Sequence, residues 1–218
     1  MRLALFDLDD TLIDADSDME WDELLAENGA MDLERARAFH AQYRAGTLDI
    51  QAFLRFQLAP LAEHSLDTLI AWRERFLAER ILPRVSRRGI ARVREHSERG
   101  DEIVLITATN DFLSAPIARA LGISNLLASR VELREGRYTG RAAGEPCFRG
   151  GKIRCLEVWL AQRNLSIDEL SESWFYSDSH NDLPLLERVD HPVAIDPDPV
   201  LRAAALERAW PIERWRGG

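Results

Sequence analysis

Cysteine is nearly absent from this chain: Cys147 and Cys155 are the only two among 218 residues. Two thiols make no disulfide framework, and their spacing matches no common zinc pattern, so both are read as reduced thiols of a cytoplasmic protein. Long hydrophobic runs are missing too. No stretch approaches the roughly 18 apolar residues that span a bilayer. The opening residues, MRLALFDLDDTL, are apolar only briefly before carboxylates interrupt them, which does not fit a signal-peptide core. Positive charge is in deficit, with 28 Lys and Arg against 37 Asp and Glu and a formal net charge of −9. Sequence-independent nucleic-acid binding needs a basic face, so neither nucleic acid nor membrane is expected as a partner. An anionic small substrate stays open, because a local site can oppose the global charge. There is no internal repeat and no low-complexity segment.

What is present is the balance of a globular chain, 46% hydrophobic and 30% charged, long enough for one sizeable core with a small insert. Short apolar runs at residues 2–6, 103–106, 174–176 and 192–195 read as buried strands. They end at Asp7, Thr107, near Asp178 and at Asp196 respectively. Helical spacing fills the intervals, at 87–99, 112–121, 152–162, 183–188 and 200–208. Such alternation predicts an α/β protein with a parallel sheet. Residues 15–82 break the pattern, with helical spacing at 19–28, 33–45, 50–58 and 66–81. Gly29, Gly46 and Pro60 punctuate these segments, and Asp32, Asp49 and Ser65 are the expected N-caps. The expected organisation is a Rossmann-like parallel core from residues 1–14 and 83–218, carrying an inserted four-helix-bundle cap at 15–82. Residues 130–141 alternate around a glycine and read as a β-hairpin.

The strongest chemical signal is DLDDT at 7–11. It places two carboxylates, Asp7 and Asp9, at the carboxyl end of a buried strand, where open α/β sheets bind ligands. The bland alternative is an acidic turn that ends the strand. The other strand ends weigh against it. Thr107 closes the second run, Lys152 opens a helix after Gly150-Gly151, and Asp178 and Asp182 flank the loop SDSHND at 177–182. Parallel strands bring such ends to one edge of the sheet. An oxygen-rich cluster of that kind suits Mg²⁺. A lysine and a hydroxyl beside it suit a phosphoryl group.

In this order, spacing and strand context, the chain resembles the phosphohydrolases of the haloacid dehalogenase superfamily over nearly its whole length. A helical cap directly after the first motif is similar to the phosphoserine-phosphatase branch. The resemblance implies a Mg²⁺-dependent phosphomonoesterase with an aspartyl-phosphate intermediate. Carried onto this sequence, it makes Asp7 the nucleophile and Asp9 the acid and base. Thr107, the Ala108 N–H, Thr11 and Asn181 would surround the phosphate, and Lys152 would neutralise charge beside Asp7. Asp7, the Asp9 backbone carbonyl and Asp178 would hold the metal, with Asp182 acting through metal-bound water or by orienting Lys152. Asn181 and His180 also read as plain polar loop residues. Two departures stand out: Asp10 occupies a position where the family usually has Gly, and Thr107-Ala108-Thr109 replaces Ser-Gly-Gly. Neither removes a catalytic side chain, and the second reshapes the substrate pocket.

The acidic run at 14–21 begins the cap and reads in two ways, as a solvated linker or as a face turned to the site. On the second reading Asp16 and Asp18 meet a substrate cation and Trp21 stacks on a ring. The arginine that phosphoserine phosphatases direct at a substrate carboxylate has no clear counterpart, although Arg44 and Arg55 lie in the right helices. An amine-bearing small phosphorylated metabolite without a carboxylate fits this pattern. The same branch includes histidinol-phosphate phosphatases, so histidinol phosphate is the expected substrate and phosphoserine the alternative. A phosphotransferase and a non-enzymatic phospho-receiver domain are the rivals of other classes. Cys147, in the GEPCFRGG segment at 144–151, is expected to be structural. Oligomeric state is not legible in the sequence.

Overall fold

The computed structural model describes residues 1–217. Strands β1 (Arg2–Phe6), β2 (Glu102–Asn110), β3 (Asn125–Ser129), β6 (Glu172–Ser177), β7 (His191–Ile195) and β8 (Ile212–Glu213) form one sheet in the order β3-β2-β1-β6-β7-β8. All of its pairings are parallel. Strands β4 (Val131–Arg134) and β5 (Arg137–Ala142) form the antiparallel hairpin expected at 130–141. Helices α5 (Arg87–Glu98), α6 (Asp111–Ala120), α7 (Gly150–Ala161), α8 (Leu183–Leu186) and α9 (Pro199–Glu207) supply the crossovers. Helices α1 (Ser17–Glu27), α2 (Leu33–Arg44), α3 (Ile50–Glu63) and α4 (Leu66–Phe76) lie between β1 and α5.

The central strand shows how period two sorts side chains between two cores. Leu3 and Leu5 face one way and join Val104, Phe175, Leu156 and Leu201, which covers that side with α7, α8 and α9. Ala4 and Phe6 face the other way and join Leu105, Tyr176, Val93 and Ile117. The second cluster runs without a break into the inserted helices through Trp21, Leu24, Phe53, Leu58 and Phe76. The inserted helices therefore share their apolar core with one face of the sheet, and this shared core fixes where α1 meets the carboxyl edge of the sheet.

The expected caps hold. Asp32, Asp49 and Ser65 accept backbone N–H groups at the starts of α2, α3 and α4, satisfying donors that the first helical turn leaves free. Four expectations need correction. Strand β2 does not stop at Thr107 but runs to Asn110, with a register shift between Ile106 and Asn110. Helix α3 does not end before Pro60 but passes through it to Glu63. A proline lacks only its own N–H, and the turn resumes with His64 N–H donating to the Pro60 carbonyl at 3.3 Å. The last cap helix is not regular over 66–81, because α4 gives way to a π-helical turn at Leu77–Ile81. Strands β3 and β8, at the two edges of the sheet, were not expected. Among the described residues, no helix is long and apolar enough to cross a membrane.

Candidate active site

The carboxyl edge of the sheet gathers the expected residues. Asp7 follows β1, and its N–H continues the ladder to the Tyr176 carbonyl at 3.0 Å. That bond places Asp7 beside Ser177 and the loop that carries Asp178 and Asp182. Lys152 arrives from the first turn of α7. The chain can enter that helix only because residue 151 is glycine, since a Cβ there would overlap the Pro146 carbonyl oxygen. The Lys152 Nζ lies 2.7 Å from Asp7 Oδ1 and 2.7 Å from Asp182 Oδ2. The Ser177 hydroxyl donates to the same Asp182 oxygen at 2.7 Å. All three charged groups are buried.

Asp9 is held differently. Its Oδ1 accepts the Ser17 N–H at 2.6 Å, and its Oδ2 accepts the Thr109 hydroxyl at 2.8 Å. Thr107 is buried, and its hydroxyl accepts the Thr109 N–H at 3.1 Å. The Thr11 hydroxyl reaches Asp178 Oδ1 at 3.4 Å. Asn181 Oδ1 accepts from Arg149 Nε at 2.9 Å. Arg149 also donates to the Gly46 carbonyl, tying the α2–α3 loop to the catalytic edge. His180 is held by Asp198 through Nδ1 at 2.7 Å.

The electrostatics follow from burial. Desolvation pushes the Asp7 carboxyl to about 7 while Lys152 pulls the other way. Burial opposes the charge on Lys152, yet Asp182 and Asp7 hold its pKa above the usual lysine value. Burial, followed by the charges of Asp7, Asp10 and Asp182, raises Asp178 well above the carboxylate range. Asp9 is pushed to about 6, by burial first and then by Asp16, against the hydrogen bonds of Ser17 and Thr109.

Asp7 and Asp178 therefore crowd negative charge at one point, and Asp178 accepts only a long hydrogen bond there. Such a pair fits a small hard cation. Among the described residues no group of three or more His, Cys, Asp and Glu side chains forms a complete metal cage. Two carboxylates, a backbone carbonyl and water are a donor set that Mg²⁺ accepts, because it dehydrates reluctantly.

Above this edge lies a cavity of about 50 Å³. Its acidic lining comprises Asp9, Asp10, Asp16, Asp18 and Asp178, and its aromatic lining comprises Phe39, Tyr43, Phe53 and Phe148. Ala108 and His40 also border it, and among the described residues no arginine does. His40, 4% exposed, lies between Asp16 Oδ2 at 3.0 Å and Asp22 Oδ2 at 3.2 Å. Burial alone would lower this imidazole, but the two aspartates carry it up to about 10. His40 in turn holds Asp16 below its usual range against burial. Asp18 differs from its neighbours. Its Oδ1 is buried without a hydrogen-bond partner, and burial plus the charges of Asp9, Asp16 and Asp22 raise its pKa far above normal.

The expected substrate residues divide accordingly. Asp16 and Asp18 line the cavity, but Asp16 is already engaged, capping α1 through the Met19 N–H at 3.0 Å and binding His40. Trp21 is not brought to the site. It is 1% exposed and packs edge-on against Phe76 of α4 and Phe112 of α6 in the core. Arg44 is exposed and lies outside the cavity lining, although its charge is felt by Asp10 and Asp16. Arg55 is on the solvent face. Cys147 is buried behind α7.

Ser17, Thr109, His40, Tyr43 and the aromatic wall were missed as site residues. Thr109 was within reach of the sequence, since it shares a strand face with Thr107. His40 carries no motif, and only the packing of α2 on α1 reveals it. Lys152 had a signal that went unused, for it is the sole lysine of a chain with 28 basic residues.

A family model of haloacid dehalogenase-like hydrolases matches residues 4–187. The chain belongs to the haloacid dehalogenase-like hydrolases, and it is a phosphatase of that family. It is 42% identical over 216 residues to a histidinol-phosphatase of Neisseria meningitidis serogroup C, covering 97% of each chain. A crystal structure of a Bordetella pertussis Tohama I protein of unknown function superposes with a TM-score of 0.90 at 45% identity, again over 97% of each chain. A phospho-aspartyl intermediate analogue of phosphoserine phosphatase matches with a TM-score of 0.71 at 20% identity, covering 99% of this chain and 93% of that one. At that identity the likeness speaks for the fold alone.

Proposed function

We propose that this chain is a Mg²⁺-dependent phosphomonoesterase that works through a phosphorylated Asp7 and that histidinol phosphate is its substrate. Residues 15–82 act as the cap that closes over it. The observation that carries the substrate reading is the cavity itself. The half-buried Asp18 has its Oδ1 buried without a partner, the walls are aromatic, and among the described residues no arginine lines the cavity to meet a substrate carboxylate. Burying a cation requires a paired anion, and a ring can pack on Phe39, Tyr43, Phe53 or Phe148. The 42% identity to a histidinol-phosphatase supports the same choice.

In the proposed reaction an Asp7 oxygen attacks phosphorus and the bond to the leaving alcohol breaks. Asp9, near 6 and oriented by Ser17 and Thr109, gives its proton to that alcohol oxygen. Water then attacks the phosphorylated Asp7, Asp9 accepts the proton, and phosphate leaves. Thr107 and the Ala108 N–H bind phosphate oxygens, and Lys152 offsets the negative charge shared with Asp7. Bound to Asp7, Asp178 and the Asp9 carbonyl, Mg²⁺ would supply charge neutralisation for the phosphoryl oxygens. Thr11 and Asp182 keep Asp178 and Lys152 in place.

The test compares kcat/KM for histidinol phosphate, phosphoserine and p-nitrophenyl phosphate, each with Mg²⁺ and with chelator. The expected result is a preference for histidinol phosphate of about a hundredfold or more over phosphoserine and loss of all turnover in chelator. Equal or better turnover of phosphoserine overturns the substrate assignment. Full turnover in chelator overturns the metal assignment.

A further inference from the structure

A loop that presents a nucleophile to a phosphate dianion is weakened by every extra negative charge beside it. Asp10 is such a charge. It follows Asp9 directly, sits in the left-handed region at φ +55°, and lines the same cavity as Asp9 and Asp178. Aspartate tolerates that conformation better than most side chains, so the backbone turn survives while a carboxylate is added.

The answering charge comes from the far end of the sheet. Arg216 Nη2 lies 2.5 Å from Asp10 Oδ1, and Arg216 Nε lies 3.2 Å from Asp14 Oδ1. The segment bearing it is firmly built. The Trp215 and Arg216 N–H groups both donate to Asp196 Oδ2, at 2.6 and 2.9 Å. The Trp215 ring is 4% exposed, stacks on Tyr176 at 5.5 Å, and donates through Nε1 to Glu213 at 2.9 Å. The Trp215 carbonyl accepts the Ser86 hydroxyl at 3.3 Å. Tyr176 is the residue whose carbonyl receives the Asp7 N–H, so Arg216 is anchored to the strand that also positions the nucleophile.

We infer that Arg216 is a positioning residue of the phosphatase site, which cancels the Asp10 carboxylate and so lets a phosphate dianion approach Asp7. The inference rests on the phosphoryl-transfer reading given above. It makes a signed statement. Without Arg216, the uncompensated Asp10 repels substrate phosphate, while a divalent cation meets more negative charge and binds no less tightly. A merely structural role for Arg216 would weaken both.

The experiment is a double-mutant cycle of Arg216→Gln and Asp10→Asn, with Arg216→Lys as a charge-preserving control. Asparagine also tolerates the left-handed backbone. Steady-state kinetics on p-nitrophenyl phosphate with Mg²⁺ give KM and kcat separately, and calorimetric titration with Mg²⁺ alone gives a readout independent of turnover. Arg216→Gln is expected to raise KM about tenfold at low salt, the order expected for one partly screened charge. It should change kcat less than about threefold and leave Mg²⁺ affinity equal or higher. Adding Asp10→Asn should return KM to within about twofold of wild type, and Arg216→Lys should stay within about threefold. A loss in Arg216→Gln that falls on kcat or on Mg²⁺ affinity, or that Asp10→Asn does not reverse, overturns the inference. A wild-type protein without Mg²⁺-dependent turnover overturns the underlying reaction instead.

Discussion

Lys152 between Asp7 and Asp182, and His40 between Asp16 and Asp22, are two versions of one arrangement: a buried cation held by two aspartates. They differ in what surrounds them. The lysine cluster stands beside a half-buried carboxylate, Asp178, for which the proposed metal is the counter-charge. The histidine cluster stands beside Asp18, whose Oδ1 has no partner at all. The first arrangement can absorb the negative charge of a phosphoryl group, and the second leaves a place for a positive one. A substrate that is anionic at one end and cationic at the other satisfies both. The two cations also differ in kind. Lys152 is charged at any working pH, whereas His40 is charged because Asp16 and Asp22 carry its pKa to about 10.

The comparison can be broken from either end. The largest effect is expected at Asp7, where Asp7→Asn should cut kcat by about 10⁴-fold or more while leaving the thermal melt nearly unchanged, because the amide is isosteric but a poor nucleophile. Full turnover in a clean preparation would exclude the proposed intermediate. Lys152→Met should come next, with a kcat loss on the order of 10³-fold. It should also destabilise the chain, by about 3 kcal/mol in a denaturant titration, because Asp7 and Asp182 lose their shared partner. A variant as active as wild type would show that the lysine does not act on the reacting phosphate.

Asp18→Asn sharpens the contrast. It should lower kcat/KM for histidinol phosphate by about 30-fold and for p-nitrophenyl phosphate by less than about threefold, since only the first has a cation to lose. Equal losses would make Asp18 a general support of the cap. The smallest effect concerns His40 and pH. Its folded pKa of about 10 lies above the ordinary 6.5, so its contribution is complete below about 6.5 and fades as pH rises to about 10. Burial pushes Asp22 to about 6, so the cost of ionising Asp22 is already incurred below that window. The difference in unfolding free energy between wild type and His40→Gln should therefore shrink by on the order of 2 kcal/mol between pH 6.5 and 10. A difference that is flat across this window would mean that the imidazole is neutral in the folded chain.

The catalytic edge was legible in the sequence because it is made of strand ends. A buried strand announces itself as an apolar run, and the residue after it is placed by topology, which is how Asp7 and Asp178 were found. Thr107 was found for the same reason even though β2 continues past it. The helices of residues 15–82 were legible through N-caps such as Asp49, but the surface they turn to the site was not. Which side of α1 turns inward depends on packing against Phe76 of α4 and Phe112 of α6, and this sent Trp21 into the core while Asp18 faced the cavity. His40 lay beyond sequence reasoning because its meaning depends on two aspartates from another helix. The edge strands β3 and β8 escaped notice because the first is only partly apolar, with three half-exposed residues, and the second is two residues long.

Every other basic side chain in this protein, apart from the histidines, is an arginine. Lys152 is therefore the only side-chain primary amine, and it is 3% exposed, beside Asp7, the proposed nucleophile. Reagents that acylate amines find no side-chain target on the outside of the folded chain. If one is to modify a side chain, it has to reach Lys152 through the same opening that admits substrate, and the product is an enzyme without its central cation. The rate of such labelling, followed by mass, would report how accessible the proposed active site is and how far a bound ligand shields it.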